Sequence, residues 1–294
     1  MKKNALLAAL ALALLPLSAE ARSDRDAATA GMAGSGLSGL VAPAWGAFSN
    51  ASAIVFAPEN FAVAAGWQNW MPRYGGGNEF SLGTAYGNDR FGYSVAFSYL
   101  AGKPYDIISA SGSASGSFTP SDFDFAAGVG AKLTEHWALS ATVRALSSKL
   151  AADYDYRVFG LCLLATWRQE RYSVSAGLTD LGTRADGRAV LPAAAALSAA
   201  WTPAAGGVHA FLAELDAKYY LSGGFAASLG LQYAFDDMVF VRAGYRCSNG
   251  TLDLPSHAAA GLGVKIRGVE LDLSCLFASP TLAGTVLAGI GCRF

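Results

Sequence analysis

The stretch TLAGTVLAGIGCRF, residues Thr281 to Phe294, ends the chain on an aromatic residue. Taken two residues at a time, one face of this stretch carries Leu282, Gly284, Val286, Ala288, Ile290, Cys292 and Phe294. The opposite face carries Ala283, Thr285, Leu287, Gly289, Gly291 and Arg293. A period of two with one apolar face predicts a β-strand that separates an apolar from a polar environment.

The same alternation recurs upstream, from residue 63 onward. Thirteen further segments show it, each of about 9–13 residues, and a strand that crosses a bilayer needs about 9–11. They are Val63–Met71, Glu79–Gly87, Phe91–Tyr99, Phe123–Leu133, Trp137–Leu146, Arg157–Arg168, Tyr172–Leu181, Ala193–Trp201, Val208–Tyr220, Phe225–Tyr233, Val239–Cys247, His257–Ile266 and Val269–Phe277. Short turns join most of them, and the Gly/Ser-rich stretch Ala101–Ser121 is predicted as a long exposed loop.

The amino-acid composition distinguishes a membrane-spanning β-barrel from a soluble β-protein. The chain is 53% hydrophobic and 15% charged, yet its apolar residues are spread over alternate positions. We therefore predict an all-β fold, a transmembrane antiparallel β-barrel of about 14 strands, because closure leaves no unpaired edge in lipid. The alternative, a soluble β-sandwich, needs polar residues on its outward faces. The formal net charge of −1 gives no reason to expect a nucleic-acid partner.

Charged residues identify the inner face. A charge that faces lipid costs about 2–4 kcal/mol at the bilayer midplane. The charges within the predicted strands alternate with apolar residues, so we predict that they face the lumen. They are Glu214, Asp216, Lys218, Arg242, Arg246, Glu270, Asp272 and Arg293.

The first 60 residues do not alternate in this way. Residues 1–21 read as a signal peptide, with basic Lys2 and Lys3, an apolar run and a small-x-small cleavage site. Residues 22–60 are rich in Gly and Ala, and we predict that they form a plug inside the barrel of residues 61–294. The alternative for the segment Ser23–Asn60 is a disordered periplasmic tail, which would leave an open pore. The plug residues singled out are Met32, Trp45, Phe48, Phe56 and Pro58.

Several stretches, taken together, resemble the PorV/PorQ family of outer-membrane proteins, itself similar to FadL-type barrels with an N-terminal plug. The terminal Phe294 resembles the signal recognised by the barrel assembly machinery. The other matching stretches are Gly31–Gly34, Ser52–Pro58, Trp67–Arg73, Gly116–Asp122, Leu178–Gly182, Leu191–Pro192 and Val241–Tyr245. The chain departs from the family pattern at Ala57–Asn60 and at Asp180.

The resemblance implies a non-enzymatic protein of the cell outer membrane that binds or shuttles proteins of the type IX secretion system. Its expected partners are the outer-membrane lipid bilayer, the barrel assembly machinery, and secreted cargo proteins or other secretion-system subunits. The alternative is a FadL-like transporter for hydrophobic small molecules. A third hypothesis, an outer-membrane enzyme, has no catalytic constellation of residues to support it.

We expect no cofactor and no metal. His136, His209 and His257 lie on separate turns or strands, without the spaced ligands of a metal site. The four cysteines lack CxxC spacing, and Cys247, Cys275 and Cys292 share faces with apolar residues, which favours lipid-facing thiols over disulfides.

Overall fold

The computed structural model is a closed barrel of fourteen antiparallel strands, which confirms the predicted fold class. It describes residues 25–73, 75–108, 114–151, 154–182, 184–185, 189–204, 207–249 and 254–294. The predicted signal peptide, residues 1–21, lies outside this part of the chain. Within the described residues, no helix is long and apolar enough to cross a membrane.

The wall strands match the predicted segments closely. They are β1 (Phe61–Asn69), β2 (Gly77–Gly87), β3 (Phe91–Gly102), β6 (Ser121–Lys132), β7 (Trp137–Ala151), β8 (Tyr154–Arg168), β9 (Tyr172–Gly182), β12 (Ala194–Ala204), β13 (His209–Tyr220), β14 (Phe225–Phe235), β15 (Val239–Ser248), β16 (His257–Ile266), β17 (Val269–Phe277) and β18 (Val286–Arg293). Two small hairpins lie outside the barrel sheet: β4 (Tyr105–Ile108) with β5 (Ala114–Phe118), and β10 (Arg184–Ala185) with β11 (Ala189–Val190). Before the barrel come helix α1 (Ala27–Gly31) and two 3-10 helices, Pro43–Trp45 and Ala51–Phe56.

The barrel closes where its first strand pairs with its last. β1 and β18 run antiparallel, from Ala62 opposite Arg293 to Asn69 opposite Val286. Beyond this ladder the Phe61 amide donates to the Phe294 carbonyl at 3.0 Å, and the Phe294 amide donates to the Phe61 carbonyl at 2.8 Å. We call the barrel end at Phe61 and Phe294 the terminal end, and the opposite end, which carries the β4–β5 hairpin, the loop end.

The outer surface is an apolar belt. Aromatic and aliphatic side chains alternate outward on every wall strand: Phe80, Tyr93, Phe97, Phe125, Val143, Phe159, Leu163, Leu197, Leu215, Leu229, Val241, Leu262 and Leu273 are all more than a third exposed. The residues between them face inward and are mostly Gly, Ala, Ser or charged. A continuous apolar exterior around a polar interior fits lipid as the surrounding solvent.

Two details of the sequence prediction are wrong. The last strand begins at Val286, not Thr281, because the chain turns at Ala278 and Gly284, which have φ of 55° and 89°. Leu282, predicted to face outward, is therefore fully buried at the mouth of the barrel. The stretch Ala101–Ser121 is not a simple loop either, since it folds back as the β4–β5 hairpin.

Deleting Phe294 should impair folding into the membrane. Its ring stacks on Phe61, with centroids 6.2 Å apart, and its loss removes this contact and both closing hydrogen bonds. Together these interactions contribute about 1.5–4.5 kcal/mol. We expect most of the heat-modifiable, membrane-inserted protein to be lost. Phe277→Ala, which removes an exposed aromatic from the far end of β17, is the control, and equal amounts of inserted protein from both variants would contradict the prediction.

Candidate functional site

The lumen is filled by the chain that precedes β1. All described residues before Phe56 are buried or half-buried, including Met32 and Trp45, which are 0% and 4% exposed. Asp26 caps α1 by accepting a hydrogen bond from the Thr29 amide. Asn50 caps the third helix in the same way, through the Ser52 amide. We call residues 25–57 the plug segment.

Small residues on the wall let the plug segment approach the strands closely. The ring of Trp45 lies over Gly83 of β2, where an added Cβ would come within 2.9 Å of the indole and 2.6 Å of the Ala44 carbonyl oxygen. Gly31 of α1 meets Gly261 of β16, where a Cβ on Gly31 would lie 3.0 Å from the Gly261 Cα. Glycine on the inner face therefore sets how tightly the segment packs.

Two carboxylates of β13 bind the backbone of the plug segment. Asp216 accepts hydrogen bonds from the amides of Gly36 and Leu37, both at 3.0 Å. Glu214 accepts from the Ser38 amide and hydroxyl, both at 2.7 Å. Glu214 is fully buried and Asp216 is 7% exposed, so these bonds form without competition from bulk water. The pair satisfies three consecutive amides of an irregular turn.

A second polar cluster joins the plug segment to the opposite wall. Arg25 Nη2 lies 2.5 Å from Asp124 of β6, and its Nε donates to Ser98 of β3 at 2.9 Å. Arg144 of β7 bridges the same Asp124 to Asp180 of β9, with its Nη1 3.0 Å from Asp180. Each buried charge of this cluster thus has an opposite charge beside it, which offsets the cost of burial.

A third cluster lies on β15, β17 and β18. Arg242 Nη2 donates to Glu270 at 2.9 Å, and its Nη1 pairs with Asp272. Arg293 Nη2 bonds Glu270 at 2.9 Å and the Val41 carbonyl of the plug segment at 2.7 Å.

The structure places all eight charges predicted for the lumen on the inner side of the wall. Glu214, Asp216, Arg242, Arg246 and Glu270 are buried, while Lys218, Asp272 and Arg293 are half-buried. Sequence reasoning missed the cluster around Arg25, although the same alternation rule marks Asp124 between two phenylalanines and Arg144 between Val143 and Ala145.

Two of the predicted plug aromatics contact cations. The guanidinium of Arg25 lies 4.3 Å from the centroid of the Phe48 ring. Lys132 and Arg168 lie on the wall, each with its cationic atom 5.4 Å from the Phe56 ring centroid. Pro58, also predicted for the plug, is exposed instead, because the chain leaves the lumen there to begin β1.

A small cavity, about 30 Å³, separates the plug segment from the β1–β18 part of the wall. A cavity of this size holds one or two waters. The polar groups around it are Asp26, Glu270, Asp272 and Arg293. Its lining includes Ala64 and Gly291 from the inner face of the wall and Val63 and Ile290 from the outer face. On β1 and the middle of β18 the inner-face residues at the cavity are alanine and glycine, so the wall is thin there.

An apolar layer covers α1 at the loop end. Alanines of the plug segment, at positions 27, 30 and 33, pack in one cluster with Trp70, Met71, Leu100, Leu254, Leu276, Leu282 and Leu287. A second cluster at the same end joins Leu146, Val158 and Leu191. At this end of the barrel these apolar side chains lie level with the buried polar groups Glu79, Asp122 and Arg246, so the loop end of the lumen is mixed in polarity.

Within the described part of the chain, no cluster of three or more His, Cys, Asp or Glu side chains is arranged to hold a metal ion. All four cysteines are unpaired, and Cys275 is exposed on the outer surface.

The chain is similar in fold to FadL-type outer-membrane barrels. A toluene transporter, TodX from Pseudomonas putida, superposes with a TM-score of 0.63 at 13% identity, over 90% of this chain and 95% of that one. A FadL homologue from Pseudomonas aeruginosa gives 0.52 at 12% identity, over 91% and 95%. CymD, a monoaromatic hydrocarbon channel, gives 0.56 at 13%, over 91% and 97%. No protein-family model and no curated protein matches the chain.

Replacing both carboxylates of β13 should loosen the plug segment. Glu214→Ala with Asp216→Ala leaves the amides of Gly36, Leu37 and Ser38 unpaired, at about 1–3 kcal/mol for each. We expect these three amides to exchange with deuterium many times faster than in the parent protein while the wall amides keep their protection.

Asp237→Ala is the control, because the Asp237 side chain is 73% exposed and forms an ion pair with Lys265 at the terminal end, away from the plug segment. Unchanged exchange at residues 36–38 in the double variant would show that these carboxylates do not hold the segment.

Proposed function

We propose that the protein is a FadL-like passage of the outer membrane for small hydrophobic molecules. The observation that carries this proposal is the apolar cluster that covers α1 at the loop end of a plugged lumen. The neighbouring folds support it, because they include a toluene transporter and monoaromatic hydrocarbon channels. The chemistry required is binding and passage, with no reacting group.

The internal polarity favours an exit through the wall. A hydrophobic molecule that enters at the loop end gains by leaving water for the apolar layer. Continuing along the axis would then bring it against the buried ion pairs of Arg25, Asp124 and Arg144, which it cannot replace. Lipid outside the wall is a better solvent for it than this charged layer.

The β1–β18 part of the wall is our candidate for that exit. The cavity beside it is lined from both faces of the wall. Glu270, Asp272 and Arg293 border it on the lumen side, while Ala64 and Gly291 on the wall side offer little steric obstruction. The turn Val41–Trp45 of the plug segment borders the same cavity. A modest shift of this turn would widen the cavity from the size of water toward that of a hydrocarbon.

The secretion role implied by the PorV/PorQ resemblance is not supported by any of the comparisons. It stays a prediction and is tested by the same preparation. Co-purification of a defined secreted protein with the intact barrel, without selective uptake of hydrocarbons, would favour it over transport.

The plug segment should make the intact protein nearly silent in planar-bilayer recordings. Removal of Ser23 to Asn60 should produce steady conduction, because the remaining wall encloses a polar lumen. Heat-modifiability of the truncated protein is the control for folding. Large, steady currents from the intact protein would defeat the plug interpretation.

Uptake should depend on the inner surface of β1. Ala64→Leu fills the cavity at the wall, and we expect it to slow uptake of radiolabelled toluene into proteoliposomes by about tenfold, the effect of ~1.4 kcal/mol on the barrier. Ala199→Leu adds the same atoms to the exposed outer face of β12 and should leave uptake unchanged. Equal rates for both variants would exclude this exit.

A further inference from the structure

Strands β7 and β8 are the longest of the wall, with 15 residues each. The remaining wall strands have 8–12 residues. The extra length projects at the loop end, where Ser147 pairs with Arg157 and Lys149 pairs with Asp155. Leu146, Ser148 and Val158 are buried on the inner face, so these four residues face outward.

The outward face of this hairpin changes from apolar to basic toward the rim. Phe159 and Val143 are 59% and 57% exposed, and Phe97 and Phe123 stack beside them with centroids 6.4 Å apart. Beyond this aromatic surface come Lys149 and Arg157, both exposed. As diagonal cross-strand neighbours on one face, their side chains reach a common ligand.

Two more exposed cations lie on the neighbouring loops of the same rim. Arg73 follows β1, and Lys103 lies between β3 and β4, with its amine donating to the Pro72 carbonyl at 2.6 Å. The exposed acids described on this arc are Asp106 and Asp155. Four cations against these two carboxylates and Asp153, which lies between β7 and β8 in the sequence, leave the arc with a formal charge of about +1, although the whole chain has a formal charge of −1.

We propose that this rim binds the phosphate headgroup of a phosphorylated membrane lipid, whose acyl chains lie along the aromatic wall below. The positive rim complements the phosphate charge at the depth where headgroups meet an apolar belt. Arg157 supplies a planar fork that matches phosphate oxygens, and Lys149 supplies a compact charge beside it. The site is independent of the transported molecule, because it lies on the outside of the wall.

The test uses the intact barrel in detergent, with diphosphoryl lipid A as the probe. Binding is measured by native mass spectrometry for the parent protein, for Lys149→Ala with Arg157→Ala, and for Arg90→Ala with Arg171→Ala. The last pair removes two exposed cations at the terminal end and is the matched control. We expect the rim variant to bind about 25-fold more weakly, about fivefold for each cation, and the control to bind like the parent.

Three further arms separate the possible sources of binding. With fully dephosphorylated lipid A as the probe, the parent protein and the rim variant should bind with the same affinity. Inorganic phosphate at the same concentration should not compete, because it lacks the acyl chains; competition would point to a free-anion site and overturn the lipid assignment. Asp155→Asn should tighten binding by removing the nearest negative charge.

All variants are first checked for heat-modifiability, so that a folding defect is not read as lost binding. Equal affinity of parent and rim variant for diphosphoryl lipid A, with both folded, would refute the site. Equal binding of the phosphorylated and dephosphorylated lipids would refute the role of the phosphate.

Discussion

The structure depends on hydrogen-bond partners for the backbone of the plug segment, which is irregular and buried inside a closed barrel. The wall strands satisfy one another through their ladders, but a buried turn such as residues 36–38 has no ladder. Two carboxylates of β13 supply the missing acceptors there, and Arg293 supplies a donor for the Val41 carbonyl. Leaving one buried amide unpaired costs a sizeable share of the net folding stability of a domain. The charged residues of the lumen therefore hold the plug segment in place as well as lining the inner face of the wall.

Packing imposes the complementary requirement. The plug segment brings Trp45, Met32 and several alanines into contact with the wall, and glycine on the inner face makes the space for them. At the same time the outer face has to remain large and apolar toward lipid. Alternation of small inward and large outward residues satisfies both conditions in a single strand, which is why the composition combines many glycines with many aromatics.

Much of this could be predicted from the sequence, because alternation reports which environment each face meets. It predicted fourteen strands and marked Glu214 and Arg242 as inward, since a charge facing lipid is expensive. It could not predict that Leu282 is buried, because that depends on a left-handed turn at Gly284 which interrupts the pattern. Nor could it pair Arg25 with Asp124, which lie 99 residues apart and meet only when the barrel closes. The cavity beside β1 was likewise invisible, because it is defined by what the plug segment leaves unfilled.

Residues 58–60 connect the plug segment covalently to β1, which is also the strand that pairs with β18. Placement of the plug segment in the lumen is therefore coupled to the pairing of β1 with β18, which closes the barrel. A chain in which β18 reached β1 first would have to thread some thirty residues through a finished cylinder, at a steep entropic cost. If the wall strands instead assemble around the plug segment, this threading step is avoided. The segment then acts as an internal template for the curvature of the wall.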